Sequence, residues 1–104
     1  MVQIAWTEPA RNDLEAIADY IALDKPVAAR ELVRSVFAHV DQFITHPDSG
    51  SRPAELRGSR YRQIVEHPCR IFYRRHGRII YILYVMRGER HLRKAALAKR
   101  DPGK

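Results

Sequence analysis

Cysteine is nearly missing: Cys69 is the only one in 104 residues. An internal disulfide is therefore excluded, and so is a metal site built from clustered cysteines. A chain with no disulfide suits a reducing compartment, and a cytoplasmic location is expected. Long apolar runs are missing too. No stretch reaches the roughly 18 residues that a membrane-spanning helix needs, so no membrane contact is expected. The opening residues MVQIAW lack the basic-then-apolar order of an export signal. The C-x-x-C, H-E-x-x-H and glycine-rich phosphate-binding patterns do not occur. The five histidines, His39, His46, His67, His76 and His91, show no ligand-like spacing. No metal and no cofactor is expected. There are no internal repeats.

What the chain has is charge, unevenly placed. Residues 1–51 carry four basic and eight acidic side chains, a net of −4; residues 52–104 carry fifteen basic and four acidic ones, a net of +11. A basic half joined to a mildly acidic half points to a partner that is negative, such as nucleic acid, an acidic protein or a nucleoprotein machine. One domain of this length buries a core of roughly 60–70% of its unfolded surface without staples.

The order of elements follows from periodicity. Residues 79–86 are all Ile, Tyr, Leu, Val or Met, apolar on both faces, as a strand in the middle of a sheet must be. Residues 70–75 alternate, with Ile71 and Tyr73 on one face and Arg70, Phe72 and Arg74 on the other. His76-Gly77-Arg78 joins these two as a tight hairpin in which Gly77 supplies a positive φ. Residues 61–66 form a further strand, ended by Pro68, and residues 2–6 a first one. Between the first strand and the rest lie two amphipathic helices. One holds Ala10, Leu14, Ile17, Ala18 and Ile21 at helical spacing, capped by Thr7 or Glu8. The other begins at Pro26 and carries Ala29, Leu32, Val33, Val36, Phe37, Val40, Phe43 and Ile44 over about 30 Å. The expectation is an α+β fold of order β-α-α-β-β-β, with a helical hairpin packed on one face of a mostly antiparallel four-stranded sheet. Residues 1–96 form the domain and residues 97–104 a basic, disordered tail.

Arginine stands out on the strands. Arg60, Arg62, Arg70, Arg74, Arg75, Arg78, Arg87 and Arg90 lie on or beside the sheet. Helices on one face leave the other open, where guanidinium forks would grip phosphate or carboxylate. Arg62 and Arg70 have a structural alternative, salt bridges to Glu55 or Glu66. Tyr61, Tyr73, Tyr81 and Tyr84 interleave with the arginines, either to stack on bases or to pack the sheet. Cys69, beside Arg70, is either reactive or simply a small buried residue.

Four segments carry a resemblance: ARNDLEAIADYI (10–21), P-x-A-A-R-E-L (26–32), ELRGSRYRQIVEHPCRIFYR (55–74) and IIYILYVMRGER (79–90). In this order, over residues 2–92, they resemble the RelE/ParE superfamily of type II toxins and look most like its ParE branch. The resemblance implies the same β-α-α-β-β-β fold. It implies a toxin that inhibits DNA gyrase and so replication. Its cognate, ParD-like antitoxin would wrap it and alone contact operator DNA through a ribbon-helix-helix domain. Target contact would fall to Arg74, Arg87, Arg90, Arg93 and Lys94, and antitoxin contact to Leu14, Ile21, Val33 and Phe37. ParE-like chains often place a histidine before the glycine of the closing motif, and Arg87 stands there instead. The alternative branch implies a RelE-like endoribonuclease that cuts mRNA on the ribosome, with Arg62, Arg70, Arg87 and His91 as phosphate clamp and proton-transfer group. A third reading is a toxin that has lost its activity and only binds its antitoxin.

Overall fold

In the computed structural model, residues 1–88 and 90–103 are described. Strand β1 is Gln3–Trp6, helix α1 Glu8–Ala22 and helix α2 Pro26–Asp41. Strands β2 (Arg62–Glu66), β3 (Cys69–His76) and β4 (Ile79–Arg87) follow, and helix α3 (Lys94–Arg100) closes the chain. Single 3-10 turns at Gln42–Ile44 and Ala54–Leu56 lie between α2 and β2. The expected order holds. Thr7 caps α1: its hydroxyl lies 3.4 Å from the Ala10 amide and donates to the Ile82 carbonyl at 2.7 Å, tying the cap to the sheet. Helix α2 starts at Pro26, as the sequence suggests, and Lys25 before it gives no side-chain cap. Gly77 has φ +60° in the β3–β4 turn.

The strand order is β1-β4-β3-β2. The pairs β2–β3 and β3–β4 are antiparallel, whereas β1 runs parallel to β4. The sheet is thus mixed. Ile71, Tyr73, Ile80, Ile82 and Val85 face the helical hairpin and meet Leu14, Leu32, Val36, Val40 and Phe43 in the main core. Phe43 and Tyr73 stack with ring centroids 4.1 Å apart.

The opposite face is not open, which corrects two expectations. Phe72, Leu83 and Met86 are roofed by Leu56, Leu92 and Leu97 to form a second core. Residues 97–103, expected as a loose tail, are part of this roof; Lys104 lies outside the described residues. The reason is that α3 is amphipathic and its end is tied down by charge. Arg74 and Asp101 form an ion pair, Nε to Oδ2 at 2.5 Å, with side chains 1% and 2% exposed. Arg74 Nη2 donates to Oδ1 at 3.2 Å, while the Nε hydrogen is not aligned with an acceptor. Gly103 packs on the Arg74 guanidinium and on Tyr81, leaving no room there for a Cβ.

Arg100 secures the same segment. Strand β1 stops at Trp6, opposite Ile82, so beyond that point the outer edge of β4 has no strand beside it. Asp13 of α1 accepts the Val85 amide at 3.0 Å, and Arg100 donates to the Leu83 carbonyl at 3.0 Å and to Asp13 at 2.6 Å. The Arg100 guanidinium also lies 3.7 Å from the centre of the Tyr84 ring. A polar bracket from α1 and α3 thus replaces the missing strand.

Candidate functional site

Between the two helices of the hairpin, apolar side chains line a groove open to solvent. Sequence spacing puts Leu14 and Ala18 on α1 opposite Val33 and Phe37 on α2. Together with Trp6 they line a depression of about 260 Å³ rimmed by Arg11, Glu15 and Asp19. Trp6 and Phe37 meet at 4.9 Å with tilted rings. Ala18, Asp19 and Val33 also line a second depression, about 350 Å³, which continues past Ala22 and Ala29 to Pro26. The two form one channel along the hairpin. Phe37 is 42% exposed, and Tyr20, Leu23 and Val27 stand exposed near the hairpin's turn. Side chains this apolar are held in water only at a cost that a docking segment would relieve.

Three of the four residues expected to meet a partner segment, Leu14, Val33 and Phe37, come together in this channel. Leu14 is mostly core, with only its edge in the channel. Ile21 falls outside it, in a separate depression with Leu32, Pro68 and Arg87. Trp6, Ala22 and Pro26 were missed as channel residues. Trp6 reads as the end of a strand, and nothing local shows that β1 ends beneath α2.

The basic residues expected to meet a target divide into two groups. Arg87, Arg90, Arg93 and Lys94 are exposed. Arg87 lies over the Tyr20 ring at 5.2 Å, and Lys94 donates to the Arg57 carbonyl at 2.8 Å. Arg74 is a correction: it is sealed under the C-terminal segment by Asp101 and does not reach the surface. Glu89 of the closing motif lies outside the described residues.

The alternative nuclease set is not assembled. Strand alternation decides this. Arg62 lies opposite Tyr73 on the helix-facing side and donates to the Gly50 carbonyl at 2.9 Å. Arg70 projects to the other side, where it pairs with Glu55, donates to Gln63 at 2.7 Å and lies over Phe72. Arg87 pairs with Cys69 at the far end of β4. His91 is 77% exposed, 3.7 Å from Glu55. Two of these groups share one neighbourhood, held by Glu55, and the other two lie elsewhere. Glu55 is a tie-point: it also accepts the Leu92 amide at 3.1 Å. Burial opposes its ionisation, but the Arg70 hydrogen bond, the Leu92 amide and the Arg70 and His91 charges outweigh burial and hold its carboxyl below the usual range. Arg70 therefore takes the structural role that the sequence left open.

The tyrosines also pack rather than stack on a ligand. Tyr73 is buried in the main core, and Tyr61, Tyr81 and Tyr84 lean on the second. Cys69 is buried, and burial pushes its thiol up, so it packs as a small core residue. Among the described residues no group of three His, Cys, Asp or Glu side chains is placed to hold a metal ion.

Known proteins match this chain in sequence and in fold. The sequence model of the family described as "ParE toxin of type II toxin-antitoxin system, parDE" matches residues 4–92. The chain belongs to the ParE toxin family of type II toxin–antitoxin systems. The "Putative toxin Y4kP" of Sinorhizobium fredii is 36% identical over 84 residues, covering 81% of this chain and 85% of that protein. A chain of the chromosomal ParDE toxin–antitoxin system from P. aeruginosa superposes with a TM-score of 0.72 at 29% identity, over 86% of this chain and 98% of that one. The ParE match ends at Leu92, just before α3, so the residues that roof the second core lie partly beyond it. Among the described residues no helix is long and apolar enough to cross a membrane.

Proposed function

We propose that this ParE-family toxin inhibits DNA gyrase, and so replication, in the cytoplasm, and that a ParD-like antitoxin neutralises it by laying an amphipathic segment into the channel between α1 and α2. The channel carries the antitoxin half of the reading. Its apolar floor, lined by Trp6, Leu14, Val33 and Phe37, suits a helix-in-groove contact with anchors at helical spacing. Binding rather than catalysis is supported by the scatter of Arg62, Arg70, Arg87 and His91 over both sides and both ends of the sheet. A nuclease needs its phosphate clamp and its acid or base around one bond. The exposed Arg87, Arg90, Arg93 and Lys94 are the groups offered to the target.

The test is a supercoiling assay with purified toxin, gyrase, relaxed plasmid and ATP, beside a tube of programmed ribosomes with labelled mRNA. Blocked supercoiling or trapped cleaved DNA, reversed by the antitoxin, is the expected result. Intact supercoiling with codon-positioned mRNA cuts would overturn it in favour of the nuclease.

A further inference from the structure

We propose that the Gly77 end of the sheet carries a phosphate-binding cradle through which the toxin itself holds the sugar–phosphate backbone of a nucleic acid. Arg52, Arg60, Arg62 and Arg75 surround an open depression of about 380 Å³ with Asp48 and Gly77. Four guanidiniums face one carboxylate.

The fold builds this cluster from three segments. Arg62 opens β2 and Arg75 is next to last in β3. The 48–52 loop is pinned to β2 by a reciprocal backbone pair between Ser51 and Gln63, at 2.9 and 2.8 Å. Arg75 donates to Asp48 at 3.2 Å and to the Gly77 carbonyl at 3.0 Å, and Arg62 donates to the Gly50 carbonyl. These bonds fix two of the guanidinium planes while leaving N–H groups of each fork free. Among the described residues, the Arg52 and Arg60 side chains make no hydrogen bond or ion pair. Oriented, incompletely paired forks with a net charge of three suit phosphate oxygens.

The lining says which anion. No apolar side chain is present, so a peptide would find no anchor here; the apolar channel for a peptide lies on the helical hairpin. No aromatic ring is present either, so bases have nothing to stack on. What remains is contact with the backbone, independent of sequence. Asp48 is occupied by Arg75, and no other acid or base lines the depression, so the cradle binds and does not cut. It also stands apart from the Arg87 surface: Arg87 pairs with Cys69 at the start of β3, and Arg75 lies six steps along that strand, about 20 Å away at roughly 3.3 Å a step. The resemblance leaves operator DNA to the antitoxin; the cradle gives the toxin a hold of its own, whichever target it inhibits.

Fluorescence anisotropy of the full chain, on a labelled duplex DNA of about 20 base pairs and a single-stranded RNA of about 20 nucleotides over a salt series, tests this. Wild-type binding should weaken steeply with salt. R52A/R60A should bind about 10-fold more weakly at low salt, with a log–log salt slope on DNA shallower by about 2, since each lost phosphate contact removes about 0.9. R52K/R60K, which keeps the charge, should keep the slope. Melting temperatures should match, because neither side chain holds the fold. A loss on both probes supports the shared backbone, and a loss on one names the source. Unchanged affinity and slope in R52A/R60A, or wild type with no salt-dependent binding, would overturn the cradle. So would weakened antitoxin binding with nucleic-acid binding intact, which would assign it to an acidic peptide. None of these outcomes depends on the gyrase result.

Discussion

Replacing Asp101 with alanine strands the most deeply buried charge among the described residues. Arg74 is 1% exposed, and Asp101 supplies both of its short contacts, to Nε and to Nη2. Tyr61 Oη and the Gly103 amide also donate to the Asp101 carboxylate, at 3.3 and 2.9 Å. Removing one partner of a buried ion pair costs about 3–5 kcal/mol, because the survivor is left uncompensated. For a chain of this size each kcal/mol is worth about 4–5 °C in Tm, so Asp101→Ala should melt roughly 12–25 °C lower. The double change Arg74→Met with Asp101→Leu replaces the pair by apolar groups and should recover most of the loss. Thermal melts followed by circular dichroism read both. A shift under about 1 kcal/mol for Asp101→Ala would refute the reasoning: the C-terminal segment would then not be docked on the sheet, and the loose tail expected from the sequence would be right.

Phe37→Asp puts a charge on the exposed wall of the hairpin channel; antitoxin affinity measured by calorimetry should fall about 100-fold or more while Tm stays within a few degrees. Replacing Arg87 and Arg90 together by alanine should abolish growth inhibition yet leave antitoxin affinity unchanged, and surviving toxicity would show that the target is met elsewhere. Because the Glu55 carboxyl is held below its usual range, its contribution is complete above the unfolded pKa of about 4.3 and is lost as pH falls through the lowered folded value. Hydrogen exchange at the Leu92 amide, which Glu55 accepts, should therefore stay protected from pH 7 to about 5 and open at lower pH, and Glu55→Gln should flatten that dependence.

Much of the architecture was legible because local chemistry encodes it. The all-apolar run at 79–86 could only be a central strand, and it is β4, flanked by β1 and β3. The alternation of Ile71 and Tyr73 against Phe72 survived into two separate cores. Thr7, Pro26 and Gly77 stand where capping and turn rules put them. The candidate site was half legible. Leu14, Val33 and Phe37 were found because the apolar positions on the helices outnumber those one sheet face can bury. Trp6 and Pro26 were not, because their place in the channel depends on how β1 and the hairpin lie together.

The sequence by itself determined the element order, the two-faced strands, the amphipathic helices and the family, since each is carried by residue spacing along a short stretch. Only the tertiary structure decided what the arginines do. A guanidinium looks the same in sequence whether it reaches solvent or a carboxylate far along the chain. Arg74 is neutralised by Asp101, 27 residues away, Arg70 by Glu55 and Arg100 by Asp13, 87 residues away. The parallel pairing of β1 with β4 is of the same kind: Gln3 meets Ile79 across most of the chain, and no local pattern holds that information. Arg52, Arg60, Arg62 and Arg75 are left beside one another for the same reason, since the turns that gather them belong to three different segments.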